Sequence, residues 1–279
     1  AQVIGQAVLL RLGARPVPDG PSPAWLAIPT GTGLLVLLLF VLAALGVLRP
    51  SWILATVALA VGAAGFAVLR SGFPGAGRSG SQPVSKWIRL VAVLLASTGV
   101  VLAMGAPLEW DELAYHLPYA RDYANAGGLV VSENLRYPLQ AHNYQLLYAA
   151  ALLFAQEPAT HLLHALAGGM TAAGMFAFAR HHFGQAAALL AVILFLAFAG
   201  SLFDAAYADL GLAMFVFYAF YSFTLWQRSG ADGYLLLAAF LLAMAAGTKY
   251  QALAQLPAFA LALVVAARGA WPGAFLRAG

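Results

Sequence analysis

The sequence contains no cysteine and few charged residues. The lack of cysteine excludes disulfide bonds and thiolate metal sites within this chain. Charged residues make up 9% of the 279 residues and hydrophobic residues 63%, whereas an ordinary soluble domain carries about 25% charged residues. A water-soluble fold of this length would have to expose much of that apolar sequence to water. We therefore predict an α-helical integral membrane protein.

Positive charge is also sparse, and it is not clustered. The net charge of +4 comes from scattered lysines and arginines, a pattern that indicates membrane orientation rather than nucleic-acid binding. The signatures of Walker-loop nucleotide binding, GxSxG hydrolases and HExxH metalloproteases do not occur. Those three function classes are therefore not predicted.

Eight apolar stretches are interpreted as membrane-spanning helices, because a span needs about 20 mostly apolar residues. Their cores are residues 33–48, 52–69, 88–104, 160–179, 185–202, 210–226, 234–246 and 252–267. A ninth stretch, 145–155, is too short to span comfortably and is interpreted as interfacial or re-entrant. The predicted fold class is therefore an all-α polytopic bundle of about eight transmembrane helices with a structured first outer loop.

Charged residues divide between the two predicted membrane sides. Ten of the 14 basic residues fall on one side: Arg11, Arg15, Arg70, Arg78, Lys86, Arg89, Arg180, Arg228, Arg268 and Arg277. The positive-inside rule makes that side cytoplasmic. Eight of the ten acids fall on the other side, with only Asp19 and Asp232 inside: Glu109, Asp111, Glu112, Asp122, Glu133, Glu157, Asp204 and Asp209. Acids barely influence insertion, so their clustering indicates a site on the outer face.

These patterns predict a multi-pass membrane protein, with both ends of this chain cytoplasmic and the acidic loop extracytoplasmic. The Gly-, Ser- and Pro-rich stretch 71–82 is typical of a flexible linker. It divides an N-terminal segment with two spans (1–82) from a transmembrane domain (83–279). Apolar residues at the very start of the chain, without a complete signal peptide, are interpreted as the remains of a further helix in a longer protein.

The outer loop, 105–144, is rich in aromatic and ionisable residues, and long connections of this kind are usually functional. Asp111 and Tyr115 are four residues apart, as are Glu112 and His116, so in a helix each pair shares a face. Two adjacent carboxylates repel each other, which can hold one proton near neutral pH. A carboxylate so placed can take a proton from an acceptor hydroxyl. The alternative is that the acids only cap a helix.

Asp209 and Lys249 are two further candidates on the outer side. Asp209 stands at the start of the sixth span, as a site residue or as a helix cap. Lys249 breaks the positive-inside pattern and interrupts apolar sequence, and ionisable residues in such places usually line a cavity. A phosphate is a natural partner for this lysine, while snorkelling to the membrane surface is the alternative.

Two groups of histidines and aromatics complete the candidates. His161 and His164, three residues apart, can bind a metal with a nearby carboxylate, or pack as polar residues at a helix end. Tyr137 and His142, in the outer loop, are interpreted as lining a sugar site or as shaping the loop.

The order of these motifs resembles that in the GT-C glycosyltransferases. The nearest branch holds the protein O-mannosyltransferases, the aminoarabinose transferases and Rgt-like bacterial membrane proteins. The resemblance covers about residues 88–267. It rests on the sequence Trp110-Asp111-Glu112 with Tyr115 and His116, then Tyr137-Pro138, 161–168 before Ala179-Arg180, 206–210 and 246–250.

The resemblance implies a sugar donor carried on a polyprenyl phosphate in the membrane, with transfer to an acceptor hydroxyl on the outer face. It implies that Asp111 is the general base and that Glu112 supports it or orients the acceptor. Lys249 would bind the donor phosphate, with Asp209 as the second acidic position. Tyr115, His116, Tyr137 and His142 complete the expected substrate-binding residues.

No cofactor is implied, and members of this branch often work without a metal. The expected partners are membrane lipid, the lipid-linked sugar and an acceptor of unknown identity. The chain departs from the family in having two helices before the usual first one and in stopping after about eight spans. A non-catalytic membrane subunit derived from such an enzyme, packed in a larger complex, is therefore the second hypothesis. A transporter ranks last, because the acids lie at one face rather than near mid-membrane.

Overall fold

A computed structural model describes residues 1–14, 17, 21–71, 85–138, 140–155 and 157–267. Every regular element within these ranges is helical, which confirms the predicted all-α fold class. The α-helices are α1 (Gln2–Arg11), α2 (Ala27–Ala44), α3 (Pro50–Ser71), α4 (Lys86–Ala103), α5 (Leu117–Ala126), α6 (Asn143–Phe154), α7 (Pro158–Ala199), α8 (Asp209–Ser229), α9 (Asp232–Thr248) and α10 (Leu256–Ala267). Short helical turns cover Pro23–Leu26, Glu112–His116, Gly200–Leu202 and Tyr250–Gln255.

Among the residues that the structure describes, four helices are long and apolar enough to cross a membrane, and they indicate a membrane location. They are Pro23–Ala44, Pro50–Leu69, Pro158–Leu202 and Asp209–Ser229, with mean hydropathies between 1.3 and 2.3. Shorter apolar helices cover Asp232–Thr248 and Tyr250–Ala266. The count of eight spans stays a prediction.

Helix α7 is a helical hairpin and not a single rod. Gly184 interrupts it with φ 85° and ψ 178°, a backbone conformation that is essentially restricted to glycine. Beyond Gly184 the second arm runs back along the first. The evidence is a hydrogen bond between their far ends: Nδ1 of His164, in the first arm, donates to the carbonyl of Ala205, just past the second arm, at 2.7 Å. The predicted spans 160–179 and 185–202 therefore correspond to two antiparallel arms.

Buried tyrosines tie the helices together. Tyr144, Tyr218 and Tyr221 are almost fully buried, and a hydroxyl removed from water needs a hydrogen-bond partner. The hydroxyl of Tyr144 donates to the Leu163 carbonyl at 3.1 Å, and that of Tyr218 to the Met170 carbonyl at 2.9 Å. These bonds join α6 and α8 to the first arm of α7, which carries part of the candidate site.

The two ends of the bundle can be told apart by their connections. At one end the Leu129 N–H donates to the Ala43 carbonyl at 3.1 Å, which joins the outer loop to the last turn of α2. At the opposite end Arg228, in α8, donates to Nδ1 of His182, in α7, at 3.2 Å. There the Tyr221 hydroxyl of α8 also donates to the Ser22 carbonyl, which precedes α2. The first end is the one that holds the predicted outer loop, and the membrane side that each end faces stays a prediction.

Helix α2 packs against α6, α8 and α9, so the predicted N-terminal segment shares a core with the rest of the chain. The division at residue 82 stays a prediction. Residues 72–82 of the predicted linker lie outside the described residues, and so do Arg15, Asp19, Arg78, Arg268 and Arg277.

Candidate functional site

A π turn, Glu112–His116, presents the paired acids at the start of α5. Pro118 lacks a backbone N–H and cannot extend an α-helical hydrogen-bond pattern into this turn, and π turns often mark functional sites. The Tyr115 hydroxyl donates to Oδ2 of Asp111 at 2.7 Å, so the four-residue spacing brings these two side chains together as predicted. Asp111 is half-buried and makes no side-chain capping hydrogen bond. The capping alternative therefore does not account for Asp111.

Glu112, the second acid of the pair, is fully buried. Its Oε1 accepts a hydrogen bond from the Ala206 N–H at 2.9 Å and pairs with Nε2 of His161. Burial alone would raise the pKa of Glu112, but the hydrogen bonds from His161 and Ala206 outweigh it and leave that pKa below its ordinary value. Glu112 is therefore ionised at neutral pH and ties the π turn to α7 and to the connection before α8. With no accessible surface, it supports Asp111 through the backbone rather than by contact with an acceptor.

His164 organises the start of α8. Its Nε2 accepts from the Leu210 N–H at 2.9 Å, while Nδ1 donates to the carbonyls of Ala205 at 2.7 Å and Leu202 at 3.0 Å. Both ring nitrogens of His164 are thus engaged by backbone groups. This arrangement corresponds to polar packing at a helix end, which the sequence analysis gave as the alternative to metal binding. The described part of the chain holds no group of three or more His, Asp or Glu side chains arranged for a metal ion.

Asp209 and Lys249 form an ion pair between α8 and the residue that follows α9. The Lys249 ammonium donates to both carboxylate oxygens of Asp209, at 2.8 and 2.9 Å. The lysine side chain is 13% exposed and the aspartate 35%, so the pair is only partly desolvated. Both carboxylate oxygens of Asp209 are engaged by Lys249, which the helix-cap alternative does not explain. A phosphate that binds Lys249 therefore has to share the ammonium with Asp209.

His116 lies in the interior beside this pair. Its Nδ1 accepts from the Gln145 amide at 2.6 Å, and its Nε2 has no partner in the described residues. Burial, followed by the positive charge of Lys249, lowers the pKa of His116 to about 3. The ring is therefore neutral at pH 7, with its remaining proton on Nε2. At 1% exposure it offers a ligand little direct surface.

An exposed cation and aromatic surface flanks Asp111. The guanidinium of Arg136 lies 4.8 Å from the Trp110 ring centre and 5.4 Å from that of Tyr137. Tyr137, with φ 60°, packs edge-on against Tyr115 at 5.3 Å. Sequence reasoning did not select Arg136 or Trp110 as site residues. The available signal was that Arg136 is one of four basic residues on the predicted acidic side.

Tyr207, between α7 and α8, is a further residue that was not selected. Its hydroxyl donates to Glu109 at 3.2 Å, and its ring centre is 5.7 Å from that of His116. Burial and then the charge of Glu109 raise the pKa of Tyr207 to about 12, so the hydroxyl stays protonated. It joins the connection before α8 to the segment that carries Asp111.

A cavity of about 390 Å³ lies between α2, the outer loop, α6 and the end of α9. His142 lines it, whereas Tyr137 does not, and a role of either residue in sugar binding stays a prediction. The Tyr123 hydroxyl bonds to Nδ1 of His142 at 2.6 Å. Burial lowers the pKa of His142 to about 4, so this ring is also neutral at pH 7.

Comparisons with known proteins leave the family open. No family model matches the chain, and no solved structure matches it significantly. An uncharacterized protein from Shigella flexneri is 36% identical over 66 residues, which make up 24% of this chain and 33% of that protein. The chain therefore spans about a third of the length of the curated relative it matches, and the name of that relative states no function.

Proposed function

We propose that the protein is a membrane glycosyltransferase that moves a sugar from a polyprenyl-phosphate donor to an acceptor hydroxyl on the extracytoplasmic face. One observation carries this proposal: the half-buried carboxylate Asp111 bonds to Tyr115, which packs against Tyr137 beside the exposed cation Arg136. The charge of Asp209, which pairs with Lys249, also acts on Tyr115. Clusters of ionisable groups at a membrane surface are probabilistic markers of function.

Electrostatic contacts support the closeness of these groups. Burial, the hydrogen bond to Asp111 and the charge of Asp209 together raise the pKa of Tyr115. Burial and then the positive charge of Lys249 lower the pKa of His116, the next residue along the chain. Asp111 and the Asp209–Lys249 pair therefore act on neighbouring residues of the same π turn, which supports the proposal.

In the proposed reaction Asp111 acts as general base. Its carboxylate takes the proton of the acceptor hydroxyl as that oxygen attacks the anomeric carbon. A new carbon–oxygen bond forms while the bond between the anomeric carbon and the phosphate oxygen breaks, and the leaving polyprenyl phosphate keeps the electron pair. Attack from the opposite side inverts the anomeric centre. Lys249 and Arg136 stabilise the negative charge that develops on the phosphate.

The hydrogen bonding of Asp111 suits this role. Tyr115 occupies Oδ2, while Oδ1 has no partner among the residues that the structure describes. Tyr115 thus fixes the carboxylate and leaves one oxygen for the acceptor. General bases need such positioning within hydrogen-bond reach of the proton they remove.

Turnover of a lipid-linked sugar tests the proposal. Purified protein in liposomes is incubated with a panel of polyprenyl-phosphate hexoses and pentoses that carry a radiolabel in the sugar, together with methyl glycosides and serine- and threonine-containing peptides that supply acceptor hydroxyls. We expect free polyprenyl phosphate to appear from at least one donor as the label leaves the lipid fraction. If the folded protein releases none from any donor on the panel, the enzymatic proposal is wrong.

The closed Asp209–Lys249 pair favours a second candidate, a non-catalytic membrane subunit, because the aspartate already neutralises the lysine. This candidate predicts that the protein purifies with stoichiometric membrane partners and that the isolated chain shows no turnover. Native mass spectrometry of the gently solubilised protein, set beside the turnover measurement, separates the two.

A further inference from the structure

The helical segment from Trp110 to His116 exposes apolar side chains and buries ionisable ones. Trp110 and Leu113 are three residues apart and therefore share a face, and they are 60% and 47% exposed. Glu112 and His116 point into the protein and are almost completely buried. A surface helix of a soluble protein shows the reverse arrangement, with its apolar side toward the core and its charged side toward water. The outer face of this segment therefore suits an apolar environment.

Leu108 extends this apolar face toward α4. It is 82% exposed, and it follows the exposed residues Val101, Leu102 and Met104 at the end of α4. Helix α4 is a predicted membrane span, and the exposed side chains of a span face lipid. The exposed apolar surface thus continues along the chain from a predicted lipid-facing helix into the outer loop.

A cation borders the same face. The Arg136 guanidinium lies 4.8 Å from the centre of the Trp110 ring, and among the described residues no carboxylate lies within ion-pair distance of it. Its donors can therefore bind the oxygens of a phosphate, which a guanidinium takes in a bidentate manner. Tryptophan is enriched at the membrane–water interface, where its ring lies at the level of the headgroups. The pair of Trp110 and Arg136 therefore matches the chemistry of a phospholipid headgroup.

The exposed acids of the segment are bonded toward the protein. Asp111 accepts the Tyr115 hydroxyl, and Tyr115 is buried. Glu109 is exposed, but its Oε2 accepts from the hydroxyl of Tyr207, in the connection before α8, at 3.2 Å. Because both carboxylates are drawn toward the protein, their repulsion of a lipid phosphate at the outer face is reduced.

The small size of this surface favours a lipid over a protein partner. Stable protein–protein interfaces use about 20–30 residues on each side, whereas this face consists of three apolar side chains and one cation. We propose that the face is an interfacial anchor, which lies in the headgroup layer of the bilayer at this end of the bundle. The anchor consists of Leu108, Trp110, Leu113 and Arg136. Its leucine side chains and indole ring reach the upper acyl chains, and its guanidinium binds a lipid phosphate.

The anchor sets the depth of Asp111 in the membrane. Because Asp111 directly follows Trp110, its carboxylate lies near the level of the lipid phosphates. A substrate that reaches Asp111 has to present its reacting group at that level, as a membrane lipid does. The anchor does not depend on the proposed transfer reaction, and it stands if the protein proves to be a non-catalytic subunit.

Fluorescence quenching tests whether the anchor lies in lipid. Leu108→Cys and Leu113→Cys each carry one environment-sensitive dye, in liposomes of phosphatidylcholine and phosphatidylglycerol. One quencher is a lipid with a nitroxide near the top of its acyl chain, and the other is iodide in the water on both sides of the bilayer. We expect the lipid to quench both labels. Iodide should lose most of its quenching relative to Asn134→Cys, an exposed polar position in the same loop.

Two results of this measurement overturn the anchor. Iodide quenching of both labels as strong as at Asn134→Cys would put the face in water. Quenching of both labels by neither agent would show that protein covers the face instead of lipid.

A charge placed in the anchor tests its chemistry. Trp110 is exposed, so Trp110→Glu should fold, but its carboxylate is unfavourable among acyl chains. In Leu108→Cys protein that also carries Trp110→Glu, the label should lose lipid quenching and gain iodide quenching. Asn134→Glu adds the same charge outside the anchor and should leave the quenching of this label unchanged. If a Trp110→Glu protein elutes from size-exclusion chromatography as the wild type does and keeps full lipid quenching of the label, the anchor is wrong.

Discussion

Replacing Asp111 by asparagine should lower the rate of sugar transfer by about 10²–10⁴-fold, the usual contribution of a general base. Asparagine has nearly the same shape, and its carbonyl oxygen can accept the Tyr115 hydroxyl that now donates to Oδ2 at 2.7 Å. It cannot accept the proton of an attacking hydroxyl, so chemistry is lost and the fold is kept. Release of polyprenyl phosphate from the lipid-linked sugar measures the effect.

Glu133→Gln is the control, because it too removes one carboxylate charge from the outer loop, but at an exposed position. Its transfer rate should stay close to that of the wild type. An Asp111→Asn protein with full activity would remove Asp111 from the mechanism. Equal losses in both variants would reduce the effect to one of general surface charge.

Replacing Glu112 by alanine should lower the free energy of unfolding by about 1–3 kcal/mol for each buried donor that loses its acceptor. The substitution leaves His161 and the Ala206 N–H without their acceptor in a site that is closed to water. Denaturant unfolding in micelles, followed by tryptophan fluorescence, measures the change. Glu109→Gln, at an exposed neighbouring acid, should change stability by no more than about 1 kcal/mol.

The same pair predicts a pH dependence of stability. The folded-state pKa of Glu112 lies below its ordinary value, so the stabilisation is complete above the unfolded-state pKa. It is lost as the pH falls through the folded-state pKa. The wild type should therefore lose stability in that acidic window, and Glu112→Ala should lack this part of the decline. An alanine variant with wild-type stability and an unchanged acid profile would show that the pair does not hold the connection before α8 in place.

Hydropathy predicted the bounds of a helix well where the helix coincides with an uninterrupted apolar stretch. The predicted spans 52–69 and 88–104 fall within a few residues of the helices Pro50–Ser71 and Lys86–Ala103. The first of these helices is long and apolar enough to cross a membrane, whereas for the second the crossing stays a prediction. The first span was predicted at 33–48 and lies at Ala27–Ala44. Helix α2 begins with the polar and small residues of 27–33, which pack against α1. A hydropathy profile does not register such a contact between separate helices, so it placed the start of the span too late.

The candidate site divides in a similar way. The Asp111–Tyr115 contact follows from four-residue spacing, which is local and therefore visible in sequence. The partners of Glu112 and Lys249 are 49 and 40 residues away, and only the packing of α7, α8 and α9 decides which side chains meet. Sequence alone gave two interpretations of Lys249, phosphate binding and snorkelling to the membrane surface. The structure adds a partner that neither interpretation included, Asp209.

Accessibility of single cysteines from outside the cell tests most directly whether the Asp111 cluster faces the compartment where lipid-linked sugars are used. The chain has no cysteine, so an introduced thiol is the only target within it for a membrane-impermeant maleimide, and the labelled protein is purified before it is read. Asn134→Cys lies exposed in the outer loop, and Ser229→Cys lies exposed at the opposite end of the bundle. We expect intact cells to label the first, and the second to react only after the membrane is permeabilised. Labelling of Ser229→Cys but not Asn134→Cys in intact cells would put Asp111 in the cytoplasm and contradict extracytoplasmic transfer.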